Sequence, residues 1–509
     1  MSLIPFLSVV FLIINPVLLW LFKRLDQNLQ KLHFWVMLTT GMAWLISLVF
    51  FFLTPDYHLN PIWDAGEKLL PSLAFSLDWV SSSYFLIVTT LIFFGVLIEG
   101  KSPQTNAWIT GLGGVCAIGT MLDSAYTLAI VWTLVEILSL FSFLKNQGEM
   151  AASHRYILGI LARLIGPLLV IYISLINSSI GIAPFLTELP PSAAPILLAA
   201  GMIGFGGWFL TKQGSQEEHS AIRPGIYQSW IPAVLGLVLI TRAAQIFTPT
   251  EVSPAIILSG SILIFLVFLI SVLIDQSDRI WKVGIMALLI GGFAFAAPEA
   301  VVVWGMIFLF PGLVFFRDFG SKRAASLALI VGGIGILPLP FFSSWVGFIP
   351  LNGIPGLFIS VLAGILLGRI FNHRIQDWRG IEIQTEQISP LTITGYAVIL
   401  ISQYSISIQA GLIKKSLAFT SVPVSVWIAA LLFGIAVLFW DRIPALVTSR
   451  LDRLKVRTKV YFDAAANSIF GLADGIVYLF TRLFEGEGGL IWTLLLGFLI
   501  ITLISLRGG

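Results

Sequence analysis

Apolar residues run along this chain in long blocks, and short polar stretches cut them into pieces of similar length. Sixteen blocks are long enough to span a bilayer, at about 3–22, 34–53, 80–98, 107–122, 124–144, 156–178, 193–211, 224–246, 254–274, 281–296, 299–316, 324–346, 354–371, 391–407, 423–440 and 489–506. Each predicts a helix. A hydrocarbon core about 30 Å thick takes about 20 residues at 1.5 Å each, and it offers no water to unpaired backbone groups. The fourth and fifth blocks nearly touch, and the fourteenth is the weakest. The seventh holds Gly201, Gly204, Gly206 and Gly207, and the twelfth holds Gly332, Gly333, Gly335, Pro338 and Pro340. Glycine and proline at such density weaken a helix and free its carbonyls. Gly204, Gly206, Gly207, Pro338 and Pro340 therefore mark expected helix breaks. The two blocks lie five apart, as they would in two inverted five-helix repeats, where matching broken helices point to a transport path. Close packing of small residues reads the same glycines without a path.

The pattern changes near the end. From 449 to 484, Leu451, Leu454, Tyr461, Ala465, Ile469, Leu472, Ile476, Leu479 and Leu483 recur at three- and four-residue steps among many charges. That is one apolar stripe on a basic helix, suited to lying along the membrane surface or along neighbouring helices. The expected fold class is an all-α polytopic membrane protein with two inverted five-helix repeats, an amphipathic lateral helix and a terminal transmembrane helix. Its parts are residues 1–106, three helices with the outer loop 54–79; 107–246, the first repeat; 247–372, the second; 373–448, two further helices; 449–488, the lateral helix; and 489–509, the last span.

Composition agrees. The chain is 57% hydrophobic and only 11% charged, which no soluble fold of 509 residues tolerates. Twenty-three of the 29 lysines and arginines fall in, or at the block ends beside, loops after odd-numbered blocks, and five do so after even-numbered ones. Under strict alternation this places the N-terminus outside and the basic loops in the cytoplasm. The first block has no basic stretch before it and Lys23 and Arg24 behind it, so it reads as a retained helix. A net charge of +3 spread over the loops gives no footprint for nucleic acid. One cysteine, Cys116, and five scattered histidines give no disulfide framework, metal site or cofactor site.

The remaining basic residue, Arg163, lies inside the sixth block, and Glu136 lies inside the fifth. The loop between these blocks runs from Lys145 to His154, and each charge sits eight or nine residues from it. Both therefore reach roughly 12 Å in from the same membrane face. Opposite charges at one depth on consecutive helices can neutralise each other, whereas an isolated ion there would cost several kcal/mol. A buried structural pair and a site on a proton or cation path both fit.

Several short motifs bear a resemblance to one family. Leu77-Asp78 precedes the third block. Val135-Glu136-Ile-Leu-Ser-Leu-Phe-Ser-Phe-Leu144 fills the fifth, and Tyr156-Ile-Leu-Gly-Ile-Leu-Ala opens the sixth. Leu235-Gly236 and Thr241-Arg242 close the eighth, and Leu337-Pro-Leu-Pro340 interrupts the twelfth. In these the chain resembles the antiporter-like membrane subunits of respiratory complex I and of Mrp-type cation/proton antiporters. The resemblance implies fourteen core helices in inverted repeats, broken seventh and twelfth helices, and an essential acid at Glu136. Together with the depth of Arg163, it makes Glu136, Arg163, Lys212 and Arg242 the ion-path candidates. It also implies other membrane subunits, the lipid bilayer, and protons or monovalent cations as partners, in a bacterial or archaeal cytoplasmic membrane.

The chain departs from that pattern in places. The family's seventh-helix lysine would fall near Trp208, with Lys212 at the membrane edge, and its eighth-helix basic residue would fall at Val234. From Leu337 to Phe348 no residue is charged, and a stretch with Glu217, Glu218 and His219 replaces a family motif. Blocks nine to thirteen hold no ionisable side chain well inside. The expected function is a divergent subunit of an NADH:quinone oxidoreductase-, hydrogenase- or Mrp-type complex, either taking part in proton or cation translocation or serving structurally, with no catalytic chemistry of its own. The alternatives are a stand-alone secondary transporter of a cation or small solute, and a membrane enzyme or lipid-linked glycan carrier.

Overall fold

The computed structural model describes residues 4–24, 29–53, 57–59, 74–98, 103–146, 150–177, 185–206, 226–248, 277–315, 322–339, 342–351, 353–380, 388–413 and 424–439. In chain order its helices are α1 Ile4–Arg24, α2 Leu29–Leu53, α3 Trp79–Ile98, α4 Pro103–Met121, α5 Ala125–Asn146, α6 Met150–Asn177, α7 Ala194–Gly206, α8 Ile226–Ile246, α9 Ser277–Ala294, α10 Pro298–Phe315, α11 Lys322–Ile336, α12 Ser343–Phe348, α13 Gly353–Gly380, α14 Pro390–Ile413 and α15 Val424–Phe439. Seven described helices are long and apolar enough to cross a membrane, and five more are shorter apolar helices. The chain is an integral, multi-pass membrane protein. The block at 254–274, the lateral helix at 449–488 and the last span at 489–509 lie outside the described residues.

Two helices organise the bundle. Of the spanning stretches, 89% of α3 and 94% of α10 are buried, against 33% of α1. A helix apolar all round can only be satisfied at the centre. α3 packs against α2, α4, α8 and α14, and α10 against α8, α9, α11 and α12. At the rim, α6 exposes Leu161, Ile165, Leu168, Tyr172 and Leu175, an outward stripe that lipid tails cover at no cost in apolar exposure. Hydroxyl and indole groups cross-link the interior. Ser47 and Thr89 share a hydrogen bond of 2.6 Å, and Ser402 Oγ accepts from Thr90 Oγ1 at 2.7 Å and from Trp44 Nε1 at 3.0 Å, tying α14 to α2 and α3.

Loop 54–79 contains structure that hydropathy does not foresee. β1 Tyr57–Leu59 pairs antiparallel with β2 Phe75–Leu77, in the register Tyr57 to Leu77, His58 to Ser76 and Leu59 to Phe75. Further bridges join Phe75 to Leu122 and Ser124 to Phe185. Asp123 N–H donates to Ala74 O at 2.9 Å, and Leu186 N–H to Asp123 O at 2.7 Å. The few residues between α4 and α5 thus hold the loop before α3 and the loop before α7 together, satisfying backbone groups that a bare turn would leave open.

The twelfth span is interrupted at Pro338. α11 ends at Ile336, Leu337–Leu339 leaves the helix, and the next described helix begins at Ser343, after Phe342 in extended backbone. Pro338 has no N–H to continue the ladder and disfavours helical backbone at Leu337. Pro340 lies outside the described residues. The glycines before the break are packed inside α11: a Cβ on Gly332 would strike the Phe315 ring, and one on Gly335 would strike Pro311.

Candidate functional site

Glu136 projects from the middle of α5 and Arg163 from the middle of α6, and both are fully buried. Arg163 Nε donates to both carboxylate oxygens at 2.9 Å, and its Nη2 lies 2.8 Å from Glu136 Oε2. The guanidinium therefore grips the carboxylate side-on, a geometry that lysine cannot offer. One turn earlier on α5, Trp132 Nε1 donates to Glu136 Oε1 at 3.3 Å. The charges annul each other inside one subunit, in surroundings whose low polarity strengthens their attraction.

The Trp132 indole is held by two glycines from neighbouring helices. A Cβ on Gly166 would lie 2.6 Å from the ring and 3.0 Å from Ala200 O, and one on Gly204 would overlap the ring outright. Gly204 thus lies within α7, two residues before its end, and makes room for the tryptophan. Gly201 and Gly236 do the same for backbones: a Cβ on either would come within 2.6–2.7 Å of the other's carbonyl oxygen. α7 and α8 pack at a distance only glycine allows, which is the small-residue reading of this stretch. Gly206 is the last residue of α7, while Gly207 and Lys212 lie outside the described residues. We predict that Gly204→Leu drives Trp132 off Glu136 and lowers stability by about 1–3 kcal/mol. Quenching and shift of the tryptophan emission during thermal unfolding would report it, and an unaltered melting curve would contradict the wedge.

A second charge pair joins the start of α3 to the end of α8. Arg242, near the end of α8, forks onto Asp78 just before α3, with Nη1 on Oδ2 and Nη2 on Oδ1. It also donates to Ser81 Oγ at 2.8 Å and to Gln245 Oε1 at 2.9 Å. Asp78 meanwhile caps α3, accepting from Ser81 N–H at 2.9 Å. Burial pushes the Asp78 carboxyl up, but the Arg242 guanidinium and the bonds from Arg242 and Ser81 outweigh it and hold the group below its ordinary value. Beside the pair, Tyr84 Oη and Thr241 Oγ1 share a bond of 2.7 Å. Sequence reading treats Asp78 and Arg242 as separate motifs; the structure joins them into one latch between α3 and α8.

Val234, where the family has a basic residue, is fully buried. In the second half, Lys282 and Glu299 are buried near the starts of α9 and α10, and within α11 and α12 charge is confined to Lys322 and Arg323 at the first turn of α11. The break in the twelfth span is lined by neutral groups. Gln403 Nε2 donates to Ser343 Oγ at 3.0 Å, Ser407 Oγ to Ser343 Oγ at 2.8 Å, and Ser344 Oγ to Leu337 O at 2.6 Å. The weak hydropathy of the fourteenth block carried this signal, since Ser402, Gln403, Ser405 and Ser407 are what weaken it.

A helical bundle built round two buried helices, an interrupted twelfth span and a carboxylate–guanidinium couple between the fifth and sixth helices make up a polytopic membrane scaffold. No protein-family model matches the chain, and no curated protein sequence matches it. Solved structures do. It superposes on a chain of the Mrp complex from Dietzia sp. over its whole length, with a TM-score of 0.61 and 13% identity, and spans 63% of that longer chain. It also matches a chain of respiratory complex I from Thermus thermophilus with bound NADH, covering 84% of this chain and 99% of that one at 15% identity and a TM-score of 0.54. A chain of the membrane-bound sulfane sulfur reductase, an archaeal respiratory membrane complex, is covered to 99% by 98% of this chain, at 12% identity and a TM-score of 0.61. The chain shares its fold with membrane chains of these three complexes.

Proposed function

We propose that the chain is an antiporter-like subunit of a multi-subunit membrane complex of the NADH:quinone oxidoreductase, hydrogenase or Mrp type, in which Glu136 and Arg163 form a fixed charge couple. The observation that carries this reading is the side-on grip of Arg163 on both oxygens of Glu136, reinforced by Trp132. A relay acid must give up its proton and take it back. Here both carboxylate oxygens accept from the guanidinium and one also accepts from an indole N–H, contacts that hold the acid in place between two helices. Among the described residues, the twelfth-span break is lined by neutral groups. The likeness to chains of three such assemblies supports partner subunits, and the basic loops support a cytoplasmic membrane with the N-terminus outside. Residues 107–246 and 247–372 are taken as the two inverted repeats, and the lateral helix as a brace along neighbours. Mild-detergent purification from the native membrane tests the reading. Fixed stoichiometric co-elution with other membrane subunits is the expected result, and a lone monodisperse chain would overturn it.

A second reading, proton or cation translocation through a half-path, is favoured by one fact. A fully buried ion pair is seldom the most stable filling of an apolar core, so such pairs in membranes tend to be kept for function. It requires that loss of Glu136 abolish ion flux.

A further inference from the structure

Two helices meet at one membrane face with more positive charge than their own carboxylates match. α13 has 28 residues, about 42 Å at 1.5 Å each, enough to cross the hydrocarbon core and both headgroup layers. Its apolar run ends at Phe371, so its last two turns, Arg374 to Gly380, stand among headgroups. There Trp378 Nε1 donates to Ser326 Oγ of α11 at 2.8 Å, and Lys322 Nζ lies 5.0 Å from the Trp378 ring centroid. These contacts set the first turns of α11 in the same layer, with the tryptophan at the depth its amphipathic ring favours. Asp377 is shared by Arg374 Nη1 at 2.8 Å and His373 Nδ1 at 3.3 Å. Arg323, next to Lys322, and Arg379, next to Trp378, are exposed and meet no carboxylate among the described residues.

Deeper in the membrane, α11 turns an apolar stripe outward. Arg323, Leu327, Ile330 and Ile334 recur at steps of four, three and four residues, which places them on one helix face. Leu327 and Ile334 are half-buried and Ile330 is 59% exposed, whereas Ala325, Ala328 and Val331 are buried. A cationic patch thus stands over an exposed apolar stripe, the complement of an anionic head on an apolar tail. We propose that this corner of α11 and α13 is a docking site for an anionic phospholipid, its phosphate held by Arg323 and Arg379 and an acyl chain lying along Leu327, Ile330 and Ile334. A guanidinium grips phosphate through two parallel N–H bonds. Lys322 adds its charge and keeps its N–H donors, because a contact with a ring face uses none of them. A zwitterionic lipid would bring a cation of its own into the patch, and a soluble phosphate would gain nothing from the stripe. The site rests on the placement of the two helices and stands whether or not the protein moves ions.

Photolabelling of the purified full-length protein in liposomes of equal phosphatidylglycerol and phosphatidylcholine tests it, with a diazirine in the acyl chain of one lipid or the other. The stripe of α6 around Leu168 is the internal reference, because it is exposed and its described outward residues carry no charge. Phosphatidylglycerol is expected to label the α11 stripe several-fold more than phosphatidylcholine, at roughly five-fold per engaged arginine, while both label α6 alike. The Arg323→Gln, Arg379→Gln double variant is expected to bring the two lipids level at α11 and to leave α6 unchanged, which also reports an intact fold. Equal labelling of α11 by both lipids in the unaltered protein would overturn the site, and that comparison needs no variant. A preference that survives the double variant would overturn the assignment of the two arginines. Labelling of α6 without any labelling of α11 would overturn the site as well, by showing that protein covers this face.

Discussion

Glu136→Gln is expected to destabilise the protein by about 3–5 kcal/mol, and combining it with Arg163→Leu to recover most of that loss. The asymmetry follows from the geometry. Glutamine is isosteric and still offers Trp132 an oxygen, so the single change removes almost nothing except the charge that Arg163 neutralises. The guanidinium then loses the carboxylate it grips while staying fully buried. Replacing the arginine as well removes the stranded charge and refills the space with an apolar side chain. Thermal unfolding in detergent distinguishes the cases, because independent residues would give additive losses in the double variant. Equal stability of the parent, single and double variants would remove the couple from the account.

Asp78→Asn is expected to cost about 3 kcal/mol, again through a stranded arginine. Asparagine caps a helix as well as aspartate does, so the start of α3 keeps its bond to Ser81 N–H and the measured loss isolates the pair with Arg242. Asp78→Ala should lose about 1 kcal/mol more, for the cap. The latch also has a pH signature. The folded-state carboxyl is depressed below its unfolded value, so its contribution is fully present above the unfolded value. It is lost as pH falls through the folded one, in the window below about pH 4. Melting temperatures of the parent should fall in that window, and those of Asp78→Asn should fall less. Parallel acid profiles would show that the latch does not contribute.

The helices were legible because a bilayer admits few alternatives: an apolar block of sufficient length has to close its own hydrogen bonds. The Glu136–Arg163 couple was legible for a related reason. Two charges stand out against an apolar background, and the constant rise of a helix sets their depth. Trp132 shares the α5 face with Glu136 at a four-residue spacing, yet a tryptophan in an apolar block reads as core until its N–H finds the acid. Asp78 and Arg242 lie 164 residues apart, and nothing local says that α3 and α8 meet at those ends. The glycines of the seventh block were ambiguous in principle. A helix break and a close approach both call for glycine, and only coordinates show the Trp132 ring lying over Gly204. The strands at 57–59 and 75–77 are three residues each, too short for any periodicity to register. Pro338, by contrast, acts through covalent geometry, so the twelfth-span break followed from the sequence directly.

The central claim is that Glu136 and Arg163 are a fixed couple and not a proton-loading site. Proton flux into liposomes carrying the purified protein, compared with liposomes carrying the Glu136→Gln, Arg163→Leu double variant, tests it most directly, because that variant retains the fold without either charge. The account predicts the same flux from both. A flux present in the parent and abolished in the double variant would contradict it.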